Sequence, residues 1–413
     1  MEQDNTIFDQ MKQQLQNKDY LTFKSQINII KRYYSKEKEN QIQKQIIQLN
    51  NILETLKNMV IELTKNGDYI INGDENQIKI QQIIVESEDK KQQNIKEAER
   101  LLNEGVALFN LNKYQDAIEC YDKAISINPK NDIAWNNKGQ ALFNLNKYQD
   151  AIECYDKAIS INPKNDIAWN NKGQALFNLN KYQDAIECYD KAISINPKND
   201  IAWNNKGQAL FNLNKYQDAI ECYDKAISIN PKNDIAWNNK GQALFNLNKY
   251  QDAIECYDKA ISINPKNDIA WNNKGQALFN LNKYQDAIEC YDKAISINPK
   301  NDIAWNNKGQ ALYNLNKYQD AIECYDKAIS INPKNDIALS NKGFALHKLQ
   351  KYTDAISCYD QAPSININPQ RLKLKADSLL ELGKKSEAKQ FYLASLEKGS
   401  NDKIYIQKQL SKL

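Results

Sequence analysis

Between Asp132 and Asn165 the chain reads DIAWNNKGQALFNLNKYQDAIECYDKAISINPKN, and its apolar positions fall on two helical stripes separated by a turn. Trp135, Gly139 and Leu142 sit at i, i+4 and i+7 of a first helix (helix A) expected over about Ile133–Leu145. Ala151, Tyr155 and Ala158 have the same spacing in a second (helix B), expected over about Gln149–Ile161. Gly139 and Ala151 are small where two packed helices must approach closely. Asp150 and Glu153 fall early in helix B and Lys157 later, which suits the helix dipole and offers an i,i+4 ion pair. Pro163 cannot continue the helix and sets the turn that follows.

The pattern then recurs. Further copies begin at Asp166, Asp200, Asp234, Asp268 and Asp302, always 34 residues apart, and the single change among the six is Phe143 becoming Tyr313. A looser copy (98–131) precedes them, with Leu101 in place of the tryptophan, and a frayed one follows from Asp336, with Leu339 there. A fixed period of this length signals helix pairs stacked in one dimension, and it overrides the two or three globular domains that 413 residues would otherwise suggest. Pro363 replaces the Ile159 of other copies, so helix B of the eighth repeat is expected to end early. A degenerate ninth unit (about Leu372–Lys398) has Ala376 for the glycine and Lys385 for the tyrosine. Ile406, Leu410 and Leu413 then predict a capping helix within residues 399–413, because the last apolar face of a solenoid needs a polar cover.

Ahead of the array, residues 1–34 have roughly helical spacing and predict a short helical hairpin. Ile42, Ile46, Leu49, Leu53, Leu56, Val60 and Leu63 alternate steps of four and three, a heptad seam over residues 42–63. The a and d assignment suits a parallel homodimer, while Ile52 and Met59 widen the stripe enough for a helix packed inside a local bundle. Asn66-Gly67 and Asn72-Gly73 are turn signals, Gln77–Val85 reads as a short strand or the next helix, and the charged run Glu86–Lys91 reads as a solvated linker. The expected organisation is therefore a helical region (1–95), a repeat array (96–398) and the terminal helix (399–413).

Trp135, Gly139, Leu142, Tyr148, Ala151, Tyr155, Ala158 and Pro163 at a period of 34 resemble the tetratricopeptide repeat signature over about residues 98–398. Lys138 departs from it, standing where the family usually has an apolar residue; its stem can pack while the ammonium reaches water. The resemblance implies an all-α fold, a right-handed superhelical solenoid of antiparallel helix pairs, with helix A lining the concave side and other proteins or peptides as partners.

Charge excludes one class of partner. The formal net charge is +3, and Lys138, Lys147, Lys157 and Lys164 balance Asp132, Asp150, Glu153 and Asp156 within a repeat, so no basic stripe exists for nucleic acid. No apolar run approaches the ~18 residues of a membrane span, and the first residues show no signal pattern. Eight cysteines, Cys120 to Cys358, occupy one repeat position without CxxC spacing, which fits small semi-buried residues in a reducing, cytoplasmic compartment. No enzyme, metal or cofactor site assembles. His347 is the only histidine, Gly67, Gly73, Gly383 and Gly399 form no phosphate-cradling loop, and the repeated carboxylates lie on a solvated face.

Recognition is the chemistry that remains. Ile133, Asn136, Asn137, Gln140, Phe143 and Asn144 share the face of helix A opposite the tryptophan, which in the family lines the groove. Asn137 recurs as Asn103, Asn171, Asn205, Asn239, Asn273, Asn307 and Asn341, and Gln140 recurs as Gln174, Gln208, Gln242, Gln276 and Gln310. An amide both donates and accepts, so such a row can pair with a peptide backbone whatever its side chains. The row resembles the asparagine ladder in the superhelix of O-linked N-acetylglucosamine transferase, which holds extended peptides, without any catalytic domain here. The alternative is that these asparagines solvate helix A. A carboxylate clamp is disfavoured, because Asn136 and Gln140 carry no full charge. The variant ends, around Leu102 and Val106 or around Ser340, Phe344, His347 and Lys348, are where a site unique in the array is expected. The expected function is a protein-interaction scaffold, with a self-associating spacer or a regulatory subunit of an enzyme as alternatives.

Overall fold

The computed structural model describes residues 74–362 and 368–413, with side chains from Asp89 onward, and the described residues form nineteen helices and no strand. The chain divides between Lys91 and Gln92, and the repeats make up the second unit. The hairpin expected in residues 1–34, the heptad seam 42–63 and the turns at Gly67 and Gly73 lie outside the described residues.

The first described helix, Asp74–Asn110, corrects the reading of the linker. It takes in both Gln77–Val85 and the charged run Glu86–Lys91, because no glycine or proline between Asp74 and Glu104 interrupts the backbone ladder. Residues Asp89–Glu97 are solvated, as their composition requires, but as helix. The last turns of this helix are helix A of the first repeat.

Each full repeat is one helix pair, Asp132–Asn144 with Tyr148–Ile161 in the second, continuing to Asp302–Asn314 with Tyr318–Ile331 in the seventh. The pair is set by a close approach. A Cβ on Gly139 would stand 2.6 Å from Cε1 of Tyr155, so the ring of helix B occupies the space that a side chain on helix A would need. Tyr155 is thereby fully buried, in one cluster with Ala151 and Leu142. The turn between the helices needs a left-handed residue, and Asn146 supplies it at φ 59°. The Lys147 amide donates to the Leu142 carbonyl and the Asn146 amide to Phe143, closing the end of helix A. Tyr148 holds the asparagine by donating from its hydroxyl to Asn146 Oδ1 at 2.7 Å, and its ring meets Phe143 edge-on.

Adjacent repeats are joined by a second built loop. The amide of Asn165 donates to the carbonyl of Asn162 around Pro163, and Asn165 Oδ1 accepts from Ala168 N, capping the next helix A. Asp132 of the preceding helix A accepts from both Asn162 Nδ2 (2.9 Å) and Asn165 Nδ2 (3.0 Å). Trp169 Nε1 donates to the Pro163 carbonyl, so the half-buried indole closes the loop from the other side. Lys138 is explained here as well. Its ammonium sits 2.6 Å from Asp122 of the preceding helix B and 5.7 Å from the centre of the Trp135 ring. The side chain that departs from the signature is paired across every junction from Lys138–Asp122 to Lys342–Asp326. The expected Glu153–Lys157 pair, by contrast, is not within ion-pair distance among the described residues.

At the far end, helix B of repeat eight (Tyr352–Gln361) has ten residues where its counterparts have fourteen, ending just before Pro363. A further pair follows, Pro369–Glu381 and Lys385–Glu397, and then a short helix, Lys403–Leu410. Ile406 of that helix is fully buried against Ala376, Leu379, Ala388 and Tyr392, with Leu410 and Leu413 beside it.

The glycine contact yields a direct test. Alanine is intrinsically the better helix residue by about 1 kcal/mol, yet Gly207→Ala places a Cβ 2.6 Å from the Tyr223 ring. We expect a net loss of about 1–3 kcal/mol in urea unfolding, the range for overpacking a tight core.

Candidate functional site

Helix A presents its polar face in layers. Near the amino end is Ile133, one turn on are Asn136 and Asn137, and the next turns carry Gln140, then Phe143 and Asn144. The asparagines do not stand free in solvent. Asn171 Nδ2 donates to Asn136 Oδ1 of the preceding repeat at 3.1 Å, and the same bond recurs from Asn205, Asn239, Asn273, Asn307 and Asn341. Within a repeat, Asn136 Nδ2 points back to Asn137 Oδ1 at 3.4 Å. The two rows thus form a ladder of amides whose rungs run from helix A to helix A, with the bond within a repeat also made from Asn170, Asn238 and Asn306.

Burial follows the ladder. Asn103 is exposed, Asn137 and Asn341 are half-buried, and Asn171, Asn205, Asn239, Asn273 and Asn307 are 6–8% exposed. The gradient has a chemical cause. Leu102 gives Asn137 nothing to donate to, and Leu374 gives Ser340 no donor, so the ladder starts and stops where its partners do. The sequence placed both asparagines on this face. What it did not reveal is that Asn136 is the acceptor between repeats, although its loss at Leu102 and Ser340 was the available signal.

The Gln140 row differs. Asn144 Nδ2 donates to the Gln140 backbone carbonyl at 2.9 Å, but the side-chain amides of Gln140, Gln174, Gln208, Gln242, Gln276 and Gln310 have no hydrogen-bond partner among the described residues. They are half-buried or exposed, so both amide donors and the carbonyl of each are open to a ligand. Beside them runs an aromatic row, Phe109 to Phe279 and then Tyr313, each ring edge-on to the tyrosine that opens helix B.

Towards the carboxyl end three successive A helices enclose a pocket of 230 Å³, lined by Phe279, Gln310, Tyr313, Asn314, Asn341 and Phe344, with Tyr325 below. Phe344 stands in the glutamine place and leans on Tyr359, whose buried hydroxyl has no partner. His347 stands in the phenylalanine place. His347 Nδ1 lies 2.8 Å from Ser378 Oγ, which also reaches the Leu374 carbonyl at 2.9 Å. Burial lowers the His347 pKa.

The opposite face carries hollows of 390–420 Å³ between neighbouring repeats, such as that formed by Trp203, Lys206, Leu210 and Cys222. Lys206 there is already paired with Asp190. The eight cysteines are buried and free, and burial pushes thiols such as Cys154 and Cys222 up to about 11, which keeps them protonated and unreactive. Among the described residues no cluster of three or more His, Cys, Asp or Glu could hold a metal, and no helix is long and apolar enough to cross a membrane.

Comparison with known proteins agrees with this architecture. The tetratricopeptide repeat profile matches seven stretches, residues 98–131, 133–165, 167–199, 201–233, 235–267, 269–301 and 303–335, and a second tetratricopeptide repeat profile matches 324–357. Among curated proteins none matches the sequence. Among solved structures, the APC/C hetero-tetramer Cut9–Hcn1 is similar at 15% identity, with 76% of each chain covered and a TM-score of 0.51. A tetratricopeptide repeat protein from Parabacteroides merdae matches at 18% identity over 61% of this chain and 99% of its own, with a TM-score of 0.49. YrrB, described as a TPR protein with an unusual peptide-binding site, matches at 24% identity over 46% of this chain and 97% of its own, with a TM-score of 0.38. The fold is a right-handed superhelical solenoid of antiparallel helix pairs.

Two outcomes follow from this geometry. Asn205→Ala leaves the buried Asn170 Oδ1 without its donor, and unfolding should show a loss of about 1–3 kcal/mol. Asn103→Ala, at an exposed and unpaired rung, should stay within about 0.5 kcal/mol. His347 is held neutral by burial, so the unfolded chain binds its proton first; stability is then lost as pH falls below about 6.5, the ordinary histidine value. Because it is the only histidine, the fall in melting temperature from pH 7.5 to 5.5 should be smaller in His347→Phe than in the parent.

Proposed function

This chain belongs to the tetratricopeptide repeat family and is built as a protein-interaction scaffold, and we propose that its A-helix groove holds an extended peptide segment by uncharged amide pairing. One observation supports this reading above others: an unbroken row of partner-free amides, Gln140 to Gln310, lies along the same face as the ladder. A peptide backbone presents a donor and an acceptor at each residue, and each glutamine offers the complement of both. The ladder itself serves a different end of the same function. Asn171 and its equivalents up to Asn341 fix neighbouring A helices to one another, which keeps the glutamines in line, and at Asn103 and Asn137 the amides retain capacity for a ligand. The buried, protonated thiols fit a reducing, cytoplasmic setting for that work.

The glutamine row separates binding from stability, as the buried asparagines cannot. Full-length protein selects binders from a display library of random peptides, and their affinity is remeasured by fluorescence anisotropy on the Gln208→Ala/Gln242→Ala/Gln276→Ala variant. Loss of about tenfold or more in affinity, with the circular dichroism spectrum and unfolding midpoint retained, is the expected result. Unchanged affinity across the selected peptides would sink the groove reading.

A further inference from the structure

One set of side chains on the A-helix face is exposed against its own chemistry. Ile133, Ile167, Ile201, Ile235, Ile269, Ile303 and Ile337 are each 55–58% exposed and recur once per repeat. A single exposed isoleucine is ordinary; seven in a line make an apolar rail beside the amides. The A helices of repeats two to seven therefore offer the same three contacts in the same order: an isoleucine, a free glutamine about 10 Å along the helix, and an aromatic ring one further turn on.

The spacing of these contacts from repeat to repeat selects a ligand conformation. A hydrogen bond runs directly between side chains of neighbouring A helices, Asn171 to Asn136 at 3.1 Å, so these helices are packed neighbours and stand about 8–10 Å apart. A β-strand returns a side chain to the same face every ~6.7 Å, and its third residue, at about 10 Å, points the opposite way. A polyproline-II helix has three residues per turn and ~3.1 Å rise, so every third side chain returns to one face after about 9.3 Å. It also makes no internal hydrogen bonds, leaving its carbonyls for the glutamine donors. An α-helical ligand has a similar seven-residue repeat, but its backbone groups are already spent.

Charge and the end of the row narrow the ligand further. The face is built from Ile, Asn, Gln and Phe, so a charged side chain laid against it would give up water and meet no opposite charge. In repeat eight the glutamine becomes Phe344, and the row closes in the 230 Å³ pocket where Phe344, Tyr313 and Phe279 surround Gln310 and Asn314. Such a pocket takes one apolar side chain and ends the register.

We propose that the groove is cut for a polyproline-II segment: an uncharged, proline-rich chain carrying an apolar side chain at every third residue. This rests on the reading that the groove holds a peptide. Identical repeats then let a ligand of period three bind in several registers, with affinity rising as more triplets engage.

The test uses the full chain and fluorescein-labelled peptides of Pro-Pro-Leu triplets, followed by anisotropy. The comparison peptides have the same residues with the leucines moved off the three-residue spacing, and a strand-former of alternating Ser and Val. The triplet peptide should bind about tenfold or more tightly than either, and more tightly with six triplets than with three. Ile201→Ser/Ile235→Ser/Ile269→Ser, at positions more than half exposed, should lose about tenfold in affinity with an unchanged unfolding midpoint. Equal or tighter binding of the shuffled or alternating peptide overturns the proposal. If that binding is still lost in the Gln208/Gln242/Gln276 variant, the peptide groove stands and only the conformation falls. If no peptide, including those selected from the library, responds to the glutamine substitutions, both fall together.

Discussion

The ring of Tyr155 needs the space that Gly139 leaves empty, and most of the architecture is downstream of that approach. Because helix B comes so close to helix A, the tyrosine is buried in one cluster with Ala151 and Leu142, and the turn between the helices must be tight enough to need a left-handed asparagine. The pair still cannot bury its own surface. Ile193, Ala192 and Ala202 close over Trp169 and Trp203 only when two repeats meet, so a helix pair becomes stable as one member of a stack.

Polar groups decide how the stack is aligned. Apolar surfaces slide with little change in energy, whereas the Asn171–Asn136 bond, the Lys138–Asp122 pair and the grip of Asp132 on the next loop are each satisfied in one alignment. The buried amides cost stability if unpaired, and that penalty makes them the specifying element of the junction. What remains unpaired, the glutamine row and the isoleucine rail, is left over once the stack has met its own requirements, and that remainder stays open to solvent.

Helix pairs, their boundaries and the family were legible in the sequence because periodic burial leaves a periodic record in Trp135, Gly139, Tyr155 and Ala158. The early stop before Pro363 was legible for a single covalent reason. The linker was not: Glu86–Lys91 reads as a solvated linker by charge, and it lies inside the helix Asp74–Asn110, since charge reports hydration and not backbone geometry. The division of labour on the A-helix face was only half visible. Asn136, Asn137 and Gln140 are all amides on one stripe, and whether an amide pairs with the next repeat or with nothing depends on the packing of the helices that carry it, a distance no single repeat encodes.

Six copies differing at one position share five nearly interchangeable junctions. Removing or adding a whole copy within the array leaves each remaining rung, ion pair and loop clamp with the same partner as before, while the variant first and eighth repeats and the terminal helix stay at the ends. Length is therefore a quantity that this fold can change in steps of one repeat, about 8–10 Å, without redesigning a single contact. The molecule behaves as a ruler whose divisions are fixed by packing and whose total is set only by how many times the unit was copied.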